Sequence, residues 1–102
     1  MSALYNLEEI REKLRPIFEA APIYKAILFG SYAKGTAMAK SDIDIVIDSR
    51  GEIRGLDFFG VLEDVSQAFH VPVDLIEASQ IIEGGRTHDE ITKTGVVIYE
   101  RA

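Results

Sequence analysis

The stretch LFGSYAKGTAMAKSDIDIVID, Leu28 to Asp48, decides the fold, because two elements of different period meet in it. From Asp42 to Asp48 the residues alternate: Ile43, Ile45 and Ile47 fall on one side, and Asp42, Asp44, Val46 and Asp48 on the other. That is the two-residue period of a strand with one apolar face and one acidic face. Just upstream, Lys25-Ala-Ile-Leu-Phe29 is a short apolar run that stops at Gly30, as a buried strand does. Tyr32-Ala33-Lys34 then offers a short helix before Gly35.

Working outward, Leu7, Ile10, Leu14, Ile17 and Phe18 recur at helical spacing with charged residues between them. Pro16 falls inside that stripe and predicts a kink or two short helices, and Pro22 ends the region. On the other side, Gly51 and Gly55 bracket a loop, and Phe58, Leu62, Val65 and Phe69 mark a second helical stripe that runs to His70. Val71-Pro-Val-Asp-Leu-Ile76 reads as a third strand, limited near its start or kept to an edge by Pro72. A strand, a helix and a strand in that order favour a right-handed crossover with the two strands parallel. Residues 79–83 and 87–93 read as short helices separated by Gly84-Gly85; Gly95 stops the second, and Val96-Val-Ile-Tyr99 closes the chain as a strand. No repeat or linker divides residues 1–102, so the expectation is a single domain of the α/β (α+β) class, with a mixed sheet of about four strands and flanking helices.

Charge and composition narrow the function. Lys and Arg total 11 against 17 Asp and Glu, a net charge of −6. This argues against direct nucleic-acid binding, which draws on basic residues to neutralise phosphates. A nucleotide stays within reach, because cations held by carboxylates can meet triphosphate charge. With no cysteine in the chain, disulfides, thiolate zinc sites and cysteine nucleophiles are excluded. The first turn of sequence carries Glu8, Glu9 and Glu12 in place of a basic, apolar leader, and no apolar run is long enough to span a bilayer. A soluble, cytoplasmic protein without a membrane partner is therefore expected.

The chemistry concentrates in two places. Asp42 and Asp44 sit two apart on a strand, so both side chains leave one face with Cα atoms about 6–7 Å apart. Such carboxylates can share a hard cation, Mg²⁺ or Mn²⁺ before zinc, and without counter-charge they raise each other's pKa. Asp is also a poor strand former, yet it occurs twice within an Ile-rich strand. Gly30-Ser31 ends the preceding strand, where a glycine permits close backbone approach and N–H groups at a helix start can receive phosphate. The Ser31 hydroxyl adds a donor, and Lys34 or Lys40 adds positive charge. Each half has an ordinary reading of its own: Asp-x-Asp as a solvated strand face, and Gly-Ser as a turn with a serine N-cap. The Walker spacing of glycines, lysine and Ser/Thr is absent. Together, Gly30-Ser31 and Ser41-Asp42-Ile43-Asp44 place a phosphate cradle and a metal site on neighbouring strands joined by a short connection.

In that combined pattern the chain resembles the nucleotidyltransferase superfamily that includes DNA polymerase beta and kanamycin nucleotidyltransferase, and above all its minimal, single-domain members. The likeness rests on about twenty residues, Leu28 to Asp48, and extends more weakly to "VPVDLIE" and "TGVVIYE". It implies a nucleotidyltransferase-like fold and transfer of a nucleoside monophosphate to a hydroxyl, with Asp42, Asp44 and Asp74 as catalytic carboxylates holding two Mg²⁺ or Mn²⁺ ions. Gly30, Ser31, Lys34 and Ser41 would bind the nucleotide, with ATP as donor. Lys34 departs from the Arg carried by many relatives, and loses the bidentate fork. A counterpart to the second, substrate-binding domain of larger relatives is not expected within these 102 residues. Single-domain relatives of this size are commonly antitoxins paired with HEPN-domain ribonuclease toxins, which implies AMP transfer to a toxin tyrosine and a hetero-oligomer with the toxin. Two other roles remain open: an antitoxin that neutralises by complex formation alone, and an antibiotic-type small-molecule nucleotidyltransferase. His88 and Asp48 read as surface residues, and Tyr32 as lying near the nucleotide or covering the core.

Overall fold

The computed structural model describes residues 4–101. Its first element, α1 (Leu7–Glu19), starts at a capping box: Asn6 Oδ1 accepts from Glu9 N at 2.8 Å, and Asn6 N donates to Glu9 Oε1 at 2.9 Å. These contacts satisfy end donors that a helix otherwise leaves open. Glu8 and Glu9 also lie at the favourable end of the helix dipole. The break into two short helices, one of the two outcomes expected at Pro16, does not occur: the helix runs on to Glu19. Pro16 is exposed while Ile10, Leu14 and Phe18 are fully buried, so the loss of one backbone bond falls on the solvent side and core packing carries the helix through.

Four strands follow: β1 (Lys25–Phe29), β2 (Ile43–Asp48), β3 (Val73–Glu77) and β4 (Val96–Glu100). They form one mixed sheet in the order β3-β2-β1-β4. β1 is antiparallel to both β2 and β4, while β2 and β3 are parallel and joined through α3 (Leu56–Ala68). The expected parallel pair and mixed four-stranded sheet are both present. β3 begins after Pro72, whose carbonyl still accepts from Ile43 N at 2.9 Å. α3 ends at Ala68, two residues short of the expected limit, as Phe69 turns extended and buries its ring.

The apolar sides of β1 and β2, Ala26, Leu28, Ile43, Ile45 and Ile47, are completely buried in one cluster with α1 and with Val61 and Val65 of α3. Strand alternation then sends Ile27, Phe29, Asp44 and Val46 to the opposite face. That second face carries α4 (Arg86–Thr94) beside β1, where a Cβ added to Gly95 would stand 2.9 Å from Ile27 Cγ2. α2 (Gly30–Lys34) is a single short helix closed by Gly35 in the left-handed region at φ 77°. The helix expected over residues 79–83 is reduced to one 3₁₀ turn at Ala78–Gln80. Gly84, at φ 80°, and Gly85 break the chain before α4, leaving too few residues for a full helical turn to gain cooperative bonding.

Candidate active site

β2 brings Asp44 to the centre of the second face, and the parallel register places Asp74 of β3 directly beside it. Asp42 lies two residues earlier at the entrance to the same strand, exposed, and Asp74 is exposed on the edge strand. Across the other side of β2, Phe29 is the antiparallel partner of Asp44. The residue after Phe29 is Gly30, buried and at φ 73°. A Cβ built there would overlap the Asp44 carboxylate and come within 3.1 Å of its Cγ. Gly30 is thus required twice, by its backbone angle and by the carboxylate against it.

Burial pushes the Asp44 carboxyl up to about 6, with further contributions from Asp74, Asp42 and Glu90, while Lys34 alone opposes them. Excess negative charge on a half-buried face is what a hard cation relieves. Among the described residues no three His, Cys, Asp or Glu side chains form a ready metal cage. The donor chemistry nevertheless fits Mg²⁺, which is commonly held by one or two carboxylates with water and substrate phosphate completing its shell.

Of the nucleotide-binding candidates, Gly30 and Ser31 open α2, whose first N–H groups have no partner within the helix. Ser41 instead builds the loop before β2. Its Oγ accepts from Met38 N at 2.8 Å and its N donates to Met38 O at 2.9 Å, a turn that delivers Asp42 to the strand. Lys34 reaches α4, with Nζ 3.9 Å from Glu90 Oε2. Lys40 is exposed in the loop. Tyr32 is 92% buried in the core, not at a surface, and its hydroxyl finds no partner among the described residues. Asp48 is exposed and accepts from Arg50 N. His88 is half-buried and its Nδ1 accepts from Gly84 N at 3.2 Å, so it shapes the start of α4.

Two contributors were not singled out from the sequence. Glu90 faces the acids only because α4 folds over the second sheet face, and helical spacing alone does not say which neighbour a helix meets. Ser49, fully buried, donates from Oγ to Glu77 Oε2 at 2.7 Å and from N at 3.2 Å. This clamp ties the end of β2 to the end of β3 and so holds the register that pairs Asp44 with Asp74. A larger cavity of about 730 Å³, lined by Arg54, Phe58, Phe59, Ile76 and Gln80 among others, contains none of the candidate site residues.

The family described as "Polymerase beta, Nucleotidyltransferase" matches residues 12–102, nearly the whole chain. The chain belongs to the polymerase beta-type nucleotidyltransferase family. A relative in Methanocaldococcus jannaschii, provisionally named a protein adenylyltransferase, is 30% identical over 82 residues, covering 79% of this chain and 95% of the relative. Another from the same organism, with the same provisional naming, is 31% identical over 77 residues, 74% of this chain and 79% of its own length. Among solved structures, a toxin–antitoxin crystal structure with AMP-PNP superposes with a TM-score of 0.73 at 22% identity, over 95% of this chain and 75% of the other. A structure of the tri-AMPylated HEPN toxin of Shewanella oneidensis with its MNT antitoxin gives 0.70 at 15% identity, over 93% and 73%. At these identities the superpositions establish the nucleotidyltransferase fold. No helix among the described residues is long and apolar enough to cross a membrane.

Proposed function

We propose that this nucleotidyltransferase is a divalent-metal-dependent protein adenylyltransferase that moves AMP from ATP to a tyrosine hydroxyl of a HEPN-domain ribonuclease toxin, and thereby acts as the antitoxin. The observation that carries the reading is the apposition of Gly30 to Asp44, with Asp74 beside Asp44 in register. The provisional naming of the archaeal relatives supports a protein acceptor. ATP as donor also favours a cytoplasmic setting.

In this mechanism Asp42, Asp44 and Asp74 hold the cations. Divalent ions there would neutralise charge on the triphosphate and activate the attacking and leaving oxygens of an in-line displacement. Gly30, lacking a side chain, leaves room for a phosphate against its N–H, and Ser31 adds its N–H and hydroxyl. Lys34 supplies a positive charge beside the acids. Asp74, exposed at the edge strand, can meet the incoming hydroxyl and accept its proton. Ser41 acts by holding the turn that aims Asp42.

The test is incubation with Mg²⁺, ATP and the toxin encoded beside it. The expected result is a mass gain of AMP on a toxin tyrosine, absent with Asp42→Ala/Asp44→Ala; no gain with the wild type would sink the proposal. A second reading, neutralisation by binding alone, draws support from apolar side chains exposed at the start of α3, Leu56 at 86% and Phe59, which also lines the larger cavity, at 61%. Under that reading the Asp42→Ala/Asp44→Ala variant would still neutralise the toxin.

A further inference from the structure

A second concavity, of about 480 Å³, lies between α2 and α4 and is lined by Lys34, Arg86, Asp89, Glu90, Lys93 and Thr94. We propose that this cleft receives the polyphosphate tail of the nucleotide donor, with Arg86 and Lys93 of α4 as its contacts beyond Lys34. The inference rests on the nucleotidyl-transfer reading above and adds a place for the leaving group.

Three observations converge. First, the lining carries three cations against two acids in a chain of net charge −6, so the cleft departs locally from the sign of the whole molecule. A locally positive concavity concentrates anions even in an acidic protein. Second, Arg86 and Lys93 are seven residues apart on one helix, about two turns, so they share a side of α4. Third, the cleft adjoins the acids: Lys34 lines it from α2, the same short helix whose first residue, Gly30, stands against the Asp44 carboxylate.

These positions suit a donor whose two ends need opposite surroundings. The reacting phosphorus belongs at the carboxylates, while the phosphates beyond it would be repelled by any acid not covered by a cation. The cleft gives that tail a cationic wall next to the reaction site. Lys34 is held there by a loose pair, Nζ to Glu90 Oε2 at 3.9 Å with side chains 44% and 33% exposed. A contact this open is weak and readily exchanged for a phosphate. As the acceptor oxygen bonds to the α-phosphorus, the bond from that phosphorus to the bridging oxygen breaks. Pyrophosphate leaves with the electron pair into the cleft, and the hydroxyl proton passes to Asp74.

Binding of Mg²⁺-ATP, Mg²⁺-pyrophosphate and AMP to the full chain, measured by titration calorimetry, tests this. Arg86 and Lys93 are exposed, so Arg86→Gln/Lys93→Gln should fold, which thermal melting checks. The control Lys13→Gln/Arg15→Gln removes the same charge from exposed positions of α1, on the opposite face of the sheet. The α4 variant should bind Mg²⁺-ATP and Mg²⁺-pyrophosphate about tenfold more weakly. Its AMP affinity, and all affinities of the α1 variant, should stay within about twofold, the scale of weak surface charge effects. No loss for the α4 variant, an equal loss for AMP, or an equal loss from the α1 variant overturns the assignment while leaving the nucleotide reading intact. Failure of the wild type to bind Mg²⁺-ATP at all removes both.

Discussion

Replacing Asp44 by Asn removes a carboxylate whose charge the fold itself opposes. The wild-type carboxyl titrates near 6 in the folded protein, against an ordinary aspartate value of 3.8. The folded state therefore binds this proton more tightly than the unfolded chain does. Below about pH 3.8 both states are protonated and the group is neutral in its effect on stability. As pH rises from there to about 6, the unfolded chain ionises first and wild-type stability falls; above 6 the loss is complete and constant. Taken at face value the difference corresponds to about 3 kcal/mol, at about 1.4 kcal/mol per pH unit. Asp44 is only half-buried, and solvent screening reduces the expected figure to about 1 kcal/mol. Asp44→Asn should then be about 1 kcal/mol more stable than wild type at pH 7.5 and indistinguishable from it in this respect at pH 3.5. Urea denaturation followed by circular dichroism at both pH values reads the difference directly. Added Mg²⁺ should narrow the gap at pH 7.5, because a cation that binds the folded wild type stabilises it and the variant lacks that ligand. A variant less stable than wild type at pH 7.5, or a gap of equal size at both pH values, would refute the electrostatic account of the site.

Gly30→Ala should both destabilise the fold, by about 1–2 kcal/mol from the positive φ alone, and displace Asp44, into whose carboxylate the new Cβ would project. AMP transfer should fall about 100-fold or more, as a misplaced reacting group does; wild-type activity in a folded variant would show that the apposition is incidental. Ser49→Ala removes a 2.7 Å hydroxyl donor from the Glu77 carboxylate, and should cost about 1–2 kcal/mol of unfolding free energy, read as a lowered urea midpoint. Tyr32→Phe should move the other way, gaining up to about 1 kcal/mol, because the lost hydroxyl is buried without a partner. A marked destabilisation by Tyr32→Phe would mean that this hydroxyl is satisfied in solution.

The central hairpin was legible because its information is local. Alternating Ile and Asp determine a strand and its two faces within seven residues, and Gly30 and Gly35 bound the short helix between strands. Pro16 does not break α1 because a helix tolerates one lost bond when its apolar side is as fully buried as Ile10, Leu14 and Phe18 make it. Residues 79–83 fall short of a helix, with only a single 3₁₀ turn at Ala78–Gln80, because the few residues ahead of Gly84-Gly85 cannot gain cooperative helical bonding. Asp74 could be named from resemblance, but its position opposite Asp44 depends on the parallel register, which α3 and the Ser49–Glu77 clamp decide at long range. Glu90 had no sequence signal, since its relevance comes from the packing of α4 over the second face.

The two faces of β2 explain how the chain can hold unfavourable charge at all. Ile43, Ile45 and Ile47 are wholly buried on one side, and a shift of register by one residue would exchange them with the acids. The apolar row thus fixes the strand against slippage more firmly than any polar contact at the site could. On the other side Val46 and Phe29, 4% and 6% exposed, flank Asp44 along its own strand and across the sheet. Apolar neighbours of this kind keep water from the carboxylate and raise the cost of its charge. Stability gained on one face is therefore set against a carboxylate poised on the other, where a divalent cation and a phosphate relieve the strain that the core sustains.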